Sequence, residues 1–433
     1  MPYAKTRSLF GWRSARSFCL AVVFSTMAAA QNNAPSGNEG TTFAAWDAFA
    51  GQLRSLGDQL VAHLPERLRD DPQVRQEAGR VLLEAVAAET IQAISADPDY
   101  PVFLPSSNIT FDSSQPNADT TYKTAVIAPG GQYRLRGVLG SLVIFNVAQY
   151  ARGAANSGSK KVPPTYDDFK ALHHDAAGHF DVILSPTRPA GYNGEWWELK
   201  PNTNFLFLRQ VAYDWTTERD PTLSIERLDK PAARPRPDAA ELEKRLRDLE
   251  PAISRSLFLL VDHVEQMRKD GYINRLKPWD LANAGGVPKQ FYYEGAYEIG
   301  PDEALILEAK VPEGCAYWST ILTNDLFETT DWYNHQSSLN GTQAVIDHDG
   351  TFRAVISEKD PGVPNWLDTA GYRSGSIQGR WNGCSAQPVP SVRKVAFADL
   401  RRLLPPDTKA VTPAQREEAL RDRRSHVQQR PLW

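Results

Sequence analysis

Apolar residues recur at the spacing of an α-helix near the start of the chain. Between residues 43 and 63 the large apolar residues on this spacing are Trp46, Phe49, Leu53, Leu56 and Leu60. Asp71 and Pro72 then provide an N-cap and a first-turn proline for a second helix that continues through Ile94. The pattern predicts an antiparallel pair of helices.

A third helical pattern extends from residue 239 to residue 269. Asp238 is its predicted N-cap, with Glu241 three residues later as in a capping box. Pro251 predicts a bend inside the helix, and Gly271 predicts its end. Because a Pro- and Arg-rich linker precedes it, this helix is predicted to lie between two halves of the chain.

Short runs rich in β-branched and aromatic residues dominate both halves. They occupy residues 121–127, 132–137, 141–147, 180–185 and 204–210, and then 304–311, 317–323, 352–357 and 375–381. Strands of this length, interrupted by Gly, Pro and Asn, are typical of β-sandwiches rather than parallel sheets. The predicted fold class is mainly β with added α: two β-sandwiches, an N-terminal helical pair and a long helix between the halves.

The two halves share an order of features that indicates an internal duplication. Residues 182–185 (VILS) are followed by a tryptophan pair and Arg209, whereas residues 354–357 (AVIS) are followed by Trp366 and Arg380. A similar pair of strands precedes each set. Chance similarity between generic strands is the alternative.

The first thirty residues have the organisation of a secretion signal. Basic residues precede an apolar stretch from Phe18 to Ala30, which ends in three alanines before Gln31. An anchoring helix is the alternative, but the stretch is shorter than the roughly 20 residues that span a bilayer. We therefore expect a periplasmic or secreted protein with no membrane span in the mature chain.

These patterns divide the chain of 433 residues, which exceeds one ordinary core, into eight predicted segments. They are a signal peptide (1–30), a disordered lead (31–41), a helical pair (42–100), a first β-sandwich (101–229), a linker (230–237), a long helix (238–271), a second β-sandwich (272–404) and a C-terminal helical tail (405–433).

Composition and missing motifs exclude several functions. The formal net charge is -4, with no basic excess for nucleic-acid binding. The sequence has no G-x-S-x-G elbow, no P-loop and no G-x-G-x-x-G motif after a strand. We therefore predict no nucleic-acid partner and no cofactor, and we disfavour serine hydrolases, kinases and dinucleotide-dependent oxidoreductases.

Of the three cysteines, Cys19 leaves with the signal peptide. The remaining Cys315 and Cys384 enter a compartment where disulfides persist. We predict that they pair and join the two edges of the second sandwich.

Three segments resemble a known family. They are DPGVPNWLDTAGYRSGSIQGRW at 360–381, GEWWELKPNTNFLFLRQVAYDW at 194–215 and NADTTY at 117–122. Together they are similar to the bacterial domain-of-unknown-function family numbered 1214, over residues 117 to 402. The resemblance implies jelly-roll-like double β-sandwiches with added helices, and it implies no activity.

The loop at 360–368 combines rigid turn formers with two carboxylates, an amide and an indole. Asp360 and Asp368 are the predicted catalytic acid and base, with Trp366 and Asn365 as ligand-binding residues. The alternative is that both carboxylates only stabilise turns.

Arg209 and Arg380 stand at equivalent places within strands, where a buried cation needs a partner. Arg380 is the third predicted catalytic residue, orienting an anionic group, and Arg209 a predicted ligand contact. A salt bridge, for example of Arg380 with Asp360 or Asp368, is the alternative.

Four other residues are predicted to bind ligand. Trp197 offers a flat face for a cyclic molecule, although most of the tryptophans are expected in cores. Asp119 and Tyr122 end a Pro- and Ser-rich loop before the first strand, where Asp119 is alternatively a turn residue. His335 has the pKa range of a general base and is alternatively a surface histidine.

A histidine-rich run contains His173, His174, Asp175 and His179. These side chains suit zinc or iron, but their spacing follows no common metal motif and an exposed helix end explains them equally well. We predict no metal site.

Three functions remain open. The first is cofactor-independent acid-base catalysis on a small cyclic ligand, sugar-like or steroid-like, in a Trp/Arg/Asp cleft. The second is binding of such a ligand without catalysis, and the third is a structural or assembly role. The sequence leaves the oligomeric state undetermined.

Overall fold

The structure is a computed structural model, and it describes residues 44–152, 163–281 and 286–431. The predicted signal peptide (1–30) and the predicted disordered lead (31–41) lie outside the described residues. None of the described helices has the length and apolar character that crossing a membrane requires.

The predicted helical pair is confirmed. Helix α1 spans Ala44–His63, a short α2 spans Glu66–Arg69, and α3 spans Pro72–Ser95. The Asp71 carboxylate caps α3 by accepting hydrogen bonds from the amides of Gln73 and Val74. The apolar faces of α1 and α3 pack against each other and against a third helix, which forms a helical layer with its own core.

The third helical stretch is two helices rather than the one predicted. Helix α4 spans Ala239–Phe258, contains Pro251 and is capped by Asp238, and α5 spans His263–Lys269. The chain turns between them, and Val264 and Met267 of α5 consequently pack against a separate apolar cluster on the second sandwich. Gly271, at φ +84°, follows α5 as predicted.

The described residues of the first sandwich form nine strands. They are β1 (Leu104–Pro105), β2 (Thr120–Val126), β3 (Tyr133–Val138), β4 (Ile144–Tyr150), β5 (Thr165–Asp168), β6 (His179–Ser185), β7 (Glu195–Glu198), β8 (Phe205–Val211) and β9 (Thr222–Arg227). Strands β1-β2-β8-β4-β5 form a five-stranded sheet and β7-β6-β3-β9 a four-stranded sheet. Their facing sides enclose a core that includes Leu135, Val147, Val182 and Leu208.

Nine further strands make up the second sandwich, as far as its residues are described. They are β10 (Lys277–Trp279), β11 (Gln290–Glu298), β12 (Glu303–Lys310), β13 (Tyr317–Thr323), β14 (Ser338–Asn340), β15 (Thr351–Ser357), β16 (Trp366–Asp368), β17 (Ser374–Asn382) and β18 (Ser391–Ala396). The five-stranded sheet has the order β10-β11-β17-β13-β14, and the four-stranded sheet has the order β16-β15-β12-β18. The core between them contains Trp318, Phe352, Ile377 and Trp381.

The two sandwiches have the same topology. Each strand from β1 to β9 has a counterpart nine places later, in the same sheet position. Even the parallel pairs coincide: β6 pairs with β7 and places Ile183 opposite Trp196, while β15 pairs with β16 and places Val355 opposite Trp366. This correspondence supports the internal duplication, and the fold class predicted from the sequence is confirmed.

Two helices follow the second sandwich. Helix α6 spans Leu400–Leu403 and α7 spans Pro413–Gln428. Helix α7 begins with a capping box formed by Thr412 and Gln415, and it buries Arg416 and Arg423 against the body of the protein. The C-terminal helix thus supplies two buried cations to the second half of the fold.

Cys315 and Cys384 form the predicted disulfide. The expectation that it joins the two edges of the sandwich is wrong. The cysteines stand just outside β13 and β17, which are neighbouring strands of one sheet with Tyr317 opposite Asn382. The bond therefore closes the ends of an existing strand pair.

Candidate functional site

The predicted site residues lie in three separate parts of the fold. Asp360, Asn365, Trp366, Asp368 and His335 lie around β16, on the second sandwich. Asp119, Tyr122, Arg209 and Arg380 lie on or beside the two five-stranded sheets. Trp197 packs edge-on against Phe169, at a ring distance of 4.9 Å, on the core of the first sandwich. The single cleft expected from the sequence is therefore not formed by all of them.

The side chains of the loop around Asp360 make stabilising contacts within the protein. The Asp360 carboxylate accepts a hydrogen bond from the Gly362 amide at 2.8 Å and forms an ion pair with Arg416 of α7 at 3.0 Å. Trp366 is 6 % exposed, and the Arg416 guanidinium lies 5.1 Å from its ring centre. Helix α7 thus covers the indole that was predicted to stack on a ligand.

Asn365 has a similar structural task. Its side-chain amide donates to the carbonyls of Val345 and Arg353, and its oxygen accepts from the Val345 amide at 2.8 Å. All its hydrogen-bonding groups are therefore used within the second sandwich.

Asp368 and His335 are brought together as a pair. His335 Nδ1 lies 2.7 Å from Asp368 Oδ2, with the carboxylate buried and the imidazole 40 % exposed. Asp368 Oδ1 accepts a hydrogen bond from the Ala370 amide at 2.8 Å, which fixes the carboxylate. A histidine oriented by a buried carboxylate is suited to proton transfer, so this pair has the geometry of an acid-base dyad.

We expect His335 to titrate above its ordinary range. The hydrogen bond from His335 to Asp368 raises the histidine pKa against the opposing effect of burial, and the charges of Asp368 and Asp331 add to the increase. Because the folded-state pKa exceeds the unfolded value, the interaction stabilises the fold at pH below the unfolded pKa and is lost as the pH rises through the folded pKa. NMR titration of the imidazole measures this pKa, and Asp368→Asn should lower it. A His335 pKa at or below about 6.5 would contradict the prediction.

The outer faces of the two five-stranded sheets carry matching polar residues. In the first sheet Arg209 of β8 stands between Tyr122 of β2 and Asn146 of β4. In the second sheet Arg380 of β17 stands between Tyr292 of β11 and Ser319 of β13. We call these six residues the arginine–tyrosine site. Alternation along the strands places them opposite the sandwich cores, since Leu208 and Trp381 point inward.

The two halves of this site lie close together. Burial lowers the pKa of Arg209, but nearby tyrosine hydroxyls outweigh that effect and raise it. Those hydroxyls belong to Tyr150, Tyr166, Tyr292 and Tyr122, of which Tyr292 comes from the second sandwich. The Arg209 guanidinium lies 4.4 Å from the Phe207 ring centre and 5.9 Å from that of Tyr166. Arg209 is therefore surrounded by aromatic rings.

Arg380 is 5 % exposed and incompletely satisfied. Its Nη2 donates to the Gln378 side chain, its guanidinium lies 5.7 Å from the Tyr292 ring centre, and its Nε makes no hydrogen bond. Among the described residues it forms no ion pair with Asp360, Asp368 or any other carboxylate, so the predicted salt bridge is absent. In the first sheet Asn146 Oδ1 is likewise buried without a hydrogen-bond partner.

Asp119 lies beside this site as a buried hydrogen-bond acceptor. The side chains of Trp215, Tyr317 and Asn340 donate to its two oxygens at 2.9, 2.6 and 2.8 Å. Burial raises the pKa of Asp119, whereas these three hydrogen bonds and the charge of Arg380 act in the opposite direction. These contacts join the first sandwich to the second. Asp119 therefore does more than stabilise a turn, which is the alternative role given by the sequence.

The histidine run borders a wide groove of about 850 Å³ on the first sandwich, together with Arg134 and Arg136. His179 Nδ1 lies 2.8 Å from Asp175 Oδ2, and both side chains are exposed. Within the described part of the chain, the run does not gather three ligand atoms within 4.8 Å of one another. The contact between His179 and Asp175 is therefore a surface ion pair.

Sequence reasoning missed half of the arginine–tyrosine site. Asn146, Tyr292 and Ser319 were not singled out, because neither their residue types nor their spacing marks them. The sequence signal that leads to these three residues is the equivalence of Arg209 and Arg380. They are the residues that strand pairing places beside the two arginines.

Comparison with known proteins supports the fold and gives no activity. Residues 302–378 match the family described as protein of unknown function (DUF1214), which confirms the resemblance seen in the sequence. An uncharacterised protein from Burkholderia cenocepacia has a similar crystal structure, with a TM-score of 0.74 and 29% identity over 82% of this chain and 98% of that chain. A protein from Vibrio parahaemolyticus matches with a TM-score of 0.40 and 13% identity, over 73% of this chain and 98% of that one. No curated protein matches the sequence.

Proposed function

Since the matched family is described only as being of unknown function, we propose from the site itself that this protein binds a small organic anion with a planar ring. The binding position is the arginine–tyrosine site between the two five-stranded sheets. The observation that carries the proposal is Arg380, a buried guanidinium whose Nε has no hydrogen-bond partner and which forms no carboxylate ion pair among the described residues. A carboxylate or similar anion would satisfy it.

The surroundings of the two arginines suit a ring. Tyr122 stacks on Phe207 with ring centres 5.5 Å apart, and Tyr150 and Tyr166 are half-buried rather than enclosed. Aromatic faces and guanidinium planes both stack on flat ligands. The ligand class is therefore narrowed from any cyclic molecule to an anionic planar one, and the aromatic contacts come from tyrosines rather than the tryptophans expected from the sequence.

We also propose that the protein is exported. The Cys315–Cys384 disulfide is compatible with an oxidising compartment, as is the signal-like N-terminal sequence. The protein would then meet its ligand in the periplasm or outside the cell.

The proposal is tested by thermal unfolding of the full chain with aromatic acids such as benzoate and salicylate, and with neutral benzamide and benzyl alcohol. We expect the acids, and not the neutral compounds, to raise the unfolding temperature. Arg380→Gln should abolish this increase in a variant that still folds, because glutamine keeps a hydrogen-bond donor near Gln378 and removes only the positive charge.

Arg136→Gln is the matched control, since Arg136 is an exposed arginine within a strand of the first sandwich. It should keep the full response to ligand. An equal response in Arg380→Gln would place the ligand elsewhere. No response in the wild type, with strong destabilisation by Arg380→Gln, would instead assign these residues to a structural role.

Acid-base catalysis is a second candidate function, and the His335–Asp368 hydrogen bond of 2.7 Å favours it. In this function His335 transfers the proton and Asp368 orients it. Conversion of an added compound to product, abolished by His335→Gln in a variant that remains folded, would support catalysis at this separate part of the fold. Binding without turnover would favour a ligand-binding protein.

A further inference from the structure

Three acidic side chains from distant parts of the chain meet beneath helix α3. Glu84 lies on α3, Asp112 lies in the loop before β2, and Glu328 lies in the loop after β13. All three are buried, and each provides a carboxylate oxygen within 4.8 Å of the others. The cluster therefore lies where the helical layer and both halves of the β structure meet.

Hydrogen bonds hold these carboxylates in place from outside the cluster. The Asp112 amide donates to Glu84 Oε2 at 3.0 Å, and the Asn324 side chain donates to Glu328 Oε2. The Thr329 amide donates to the Asp112 carbonyl at 2.9 Å, which links the two loops directly. A backbone amide thus positions the Glu84 carboxylate, and the Asn324 side chain positions that of Glu328.

Arg80 is the cation that contacts all three acids. Its Nε lies 3.1 Å from Glu84 Oε1 and 3.5 Å from Glu328 Oε1, and its Nη2 contacts Asp112 Oδ2. One guanidinium leaves two of the three negative charges without compensation when all the acids are ionised. Removing carboxylates from water without neutralising them is strongly unfavourable.

Two oxygens in the cluster have no hydrogen-bond donor. Asp112 Oδ1 and Glu328 Oε1 are both buried, and neither accepts a hydrogen bond. Asp112 is 4 % exposed and Glu328 1 % exposed, so solvent barely reaches either. Buried oxygens are rarely left in this state, which points to a ligand that binds oxygen.

We propose that Glu84, Asp112 and Glu328 bind one divalent cation, which fastens helix α3 to the loops before β2 and after β13. The cation supplies the two positive charges that Arg80 does not. Because all three ligands are carboxylate oxygens, the site suits calcium, magnesium or manganese rather than zinc or copper.

A cavity lies next to the cluster. A cavity of about 400 Å³ is lined by Glu77, Asn324, Asp325 and Tyr372. Asn324 both borders this cavity and hydrogen-bonds Glu328, so a hydrated ion in the cavity is one side chain from the cluster. The acidic lining favours entry of cations.

Equilibrium dialysis of the full chain against calcium, magnesium and manganese, after treatment with a chelator, tests the proposal. We expect one ion bound per chain and a higher unfolding temperature in its presence. Glu328→Gln should lose the bound ion. Glu77→Gln, on the same helix α3 and lining the adjacent cavity, should retain it as the matched control.

Glu84→Gln is the second variant, because a glutamine oxygen still accepts the hydrogen bond from the Asp112 amide and so preserves the fold. It should bind the ion at least about tenfold more weakly, because one charged ligand is lost. The proposal is overturned if the wild type binds none of the three ions at millimolar concentration. It is also overturned if a folded Glu84→Gln or Glu328→Gln binds them as tightly as the wild type.

Discussion

Replacing Asp119 by alanine is expected to lower the free energy of unfolding by about 3 to 5 kcal/mol. The carboxylate is 2 % exposed and accepts hydrogen bonds from Trp215, Tyr317 and Asn340. Removing it takes the acceptor from the Trp215 and Asn340 side-chain donors, whereas the Tyr317 hydroxyl also lies 2.8 Å from Ser319 Oγ. Each donor left unsatisfied costs about 1 to 3 kcal/mol. Arg380 also loses its favourable charge interaction with this carboxylate.

Denaturant unfolding at neutral pH measures this effect. Asp302→Ala is the control: Asp302 is a highly exposed aspartate in a surface ion pair with Lys359, at 2.9 Å, and its loss should change stability by less than about 1 kcal/mol. If Asp119→Ala unfolds at the wild-type denaturant concentration, the three donors have other acceptors. Asp119 would then be available for chemistry instead of holding the two sandwiches together.

Loss of the Cys315–Cys384 disulfide is expected to cost on the order of 4 kcal/mol of stability. The two cysteines are 69 positions apart, so the bond closes a long loop in the unfolded chain and reduces its conformational entropy. In the native state the strand pair β13–β17 already holds the two ends together. The folded structure should therefore survive reduction, with lower stability.

The paired variant Cys315→Ser/Cys384→Ser gives the clean measurement. Its denaturant midpoint should fall to that of the reduced wild type, and a reductant should not change it further. Thiol titration of the unfolded, unreduced wild type should find neither Cys315 nor Cys384 free. A variant as stable as the oxidised wild type would show that the bond adds nothing to the strand pairing.

Local chemistry made much of the fold predictable. Asp71–Pro72 and Asp238 start helices where their capping geometry requires, and Gly271 follows the last turn of α5 with a positive φ. Strand β13 coincides with the apolar run at 317–323. These features depend on neighbouring residues, so the sequence carries them directly.

The elements that depend on tertiary packing are not predicted by the sequence pattern. Strand β11 (Gln290–Glu298) is buried on both faces, so it lacks the polar alternation of a half-exposed strand. The break between α4 and α5 has no proline or glycine to mark it, and it follows from the packing of Val264 and Met267 against the second sandwich. Neither the strand nor the break between the helices is determined by neighbouring residues in the sequence.

Three of the six residues of the arginine–tyrosine site, Tyr122, Arg209 and Arg380, were predicted from the sequence. The repeated arrangement identified Arg209 and Arg380 as equivalent, and shared topology explains that equivalence. The partners expected for Arg380 were wrong, because Asp360 binds Arg416 of α7 and Asp368 binds His335. The partner of Asp360 depends on the placement of helix α7, whose Arg416 is 56 residues further along the chain. Sequence patterns do not predict a contact of this kind.

The most direct test of the central proposal is calorimetric titration of the full chain with the aromatic acid that stabilises it most. We expect one binding site per chain in the wild type, and an affinity reduced at least about tenfold in both Arg209→Gln and Arg380→Gln, because each removes a charged contact to the anion. Unchanged affinity in the two variants would contradict the proposal that the arginine–tyrosine site binds the ligand.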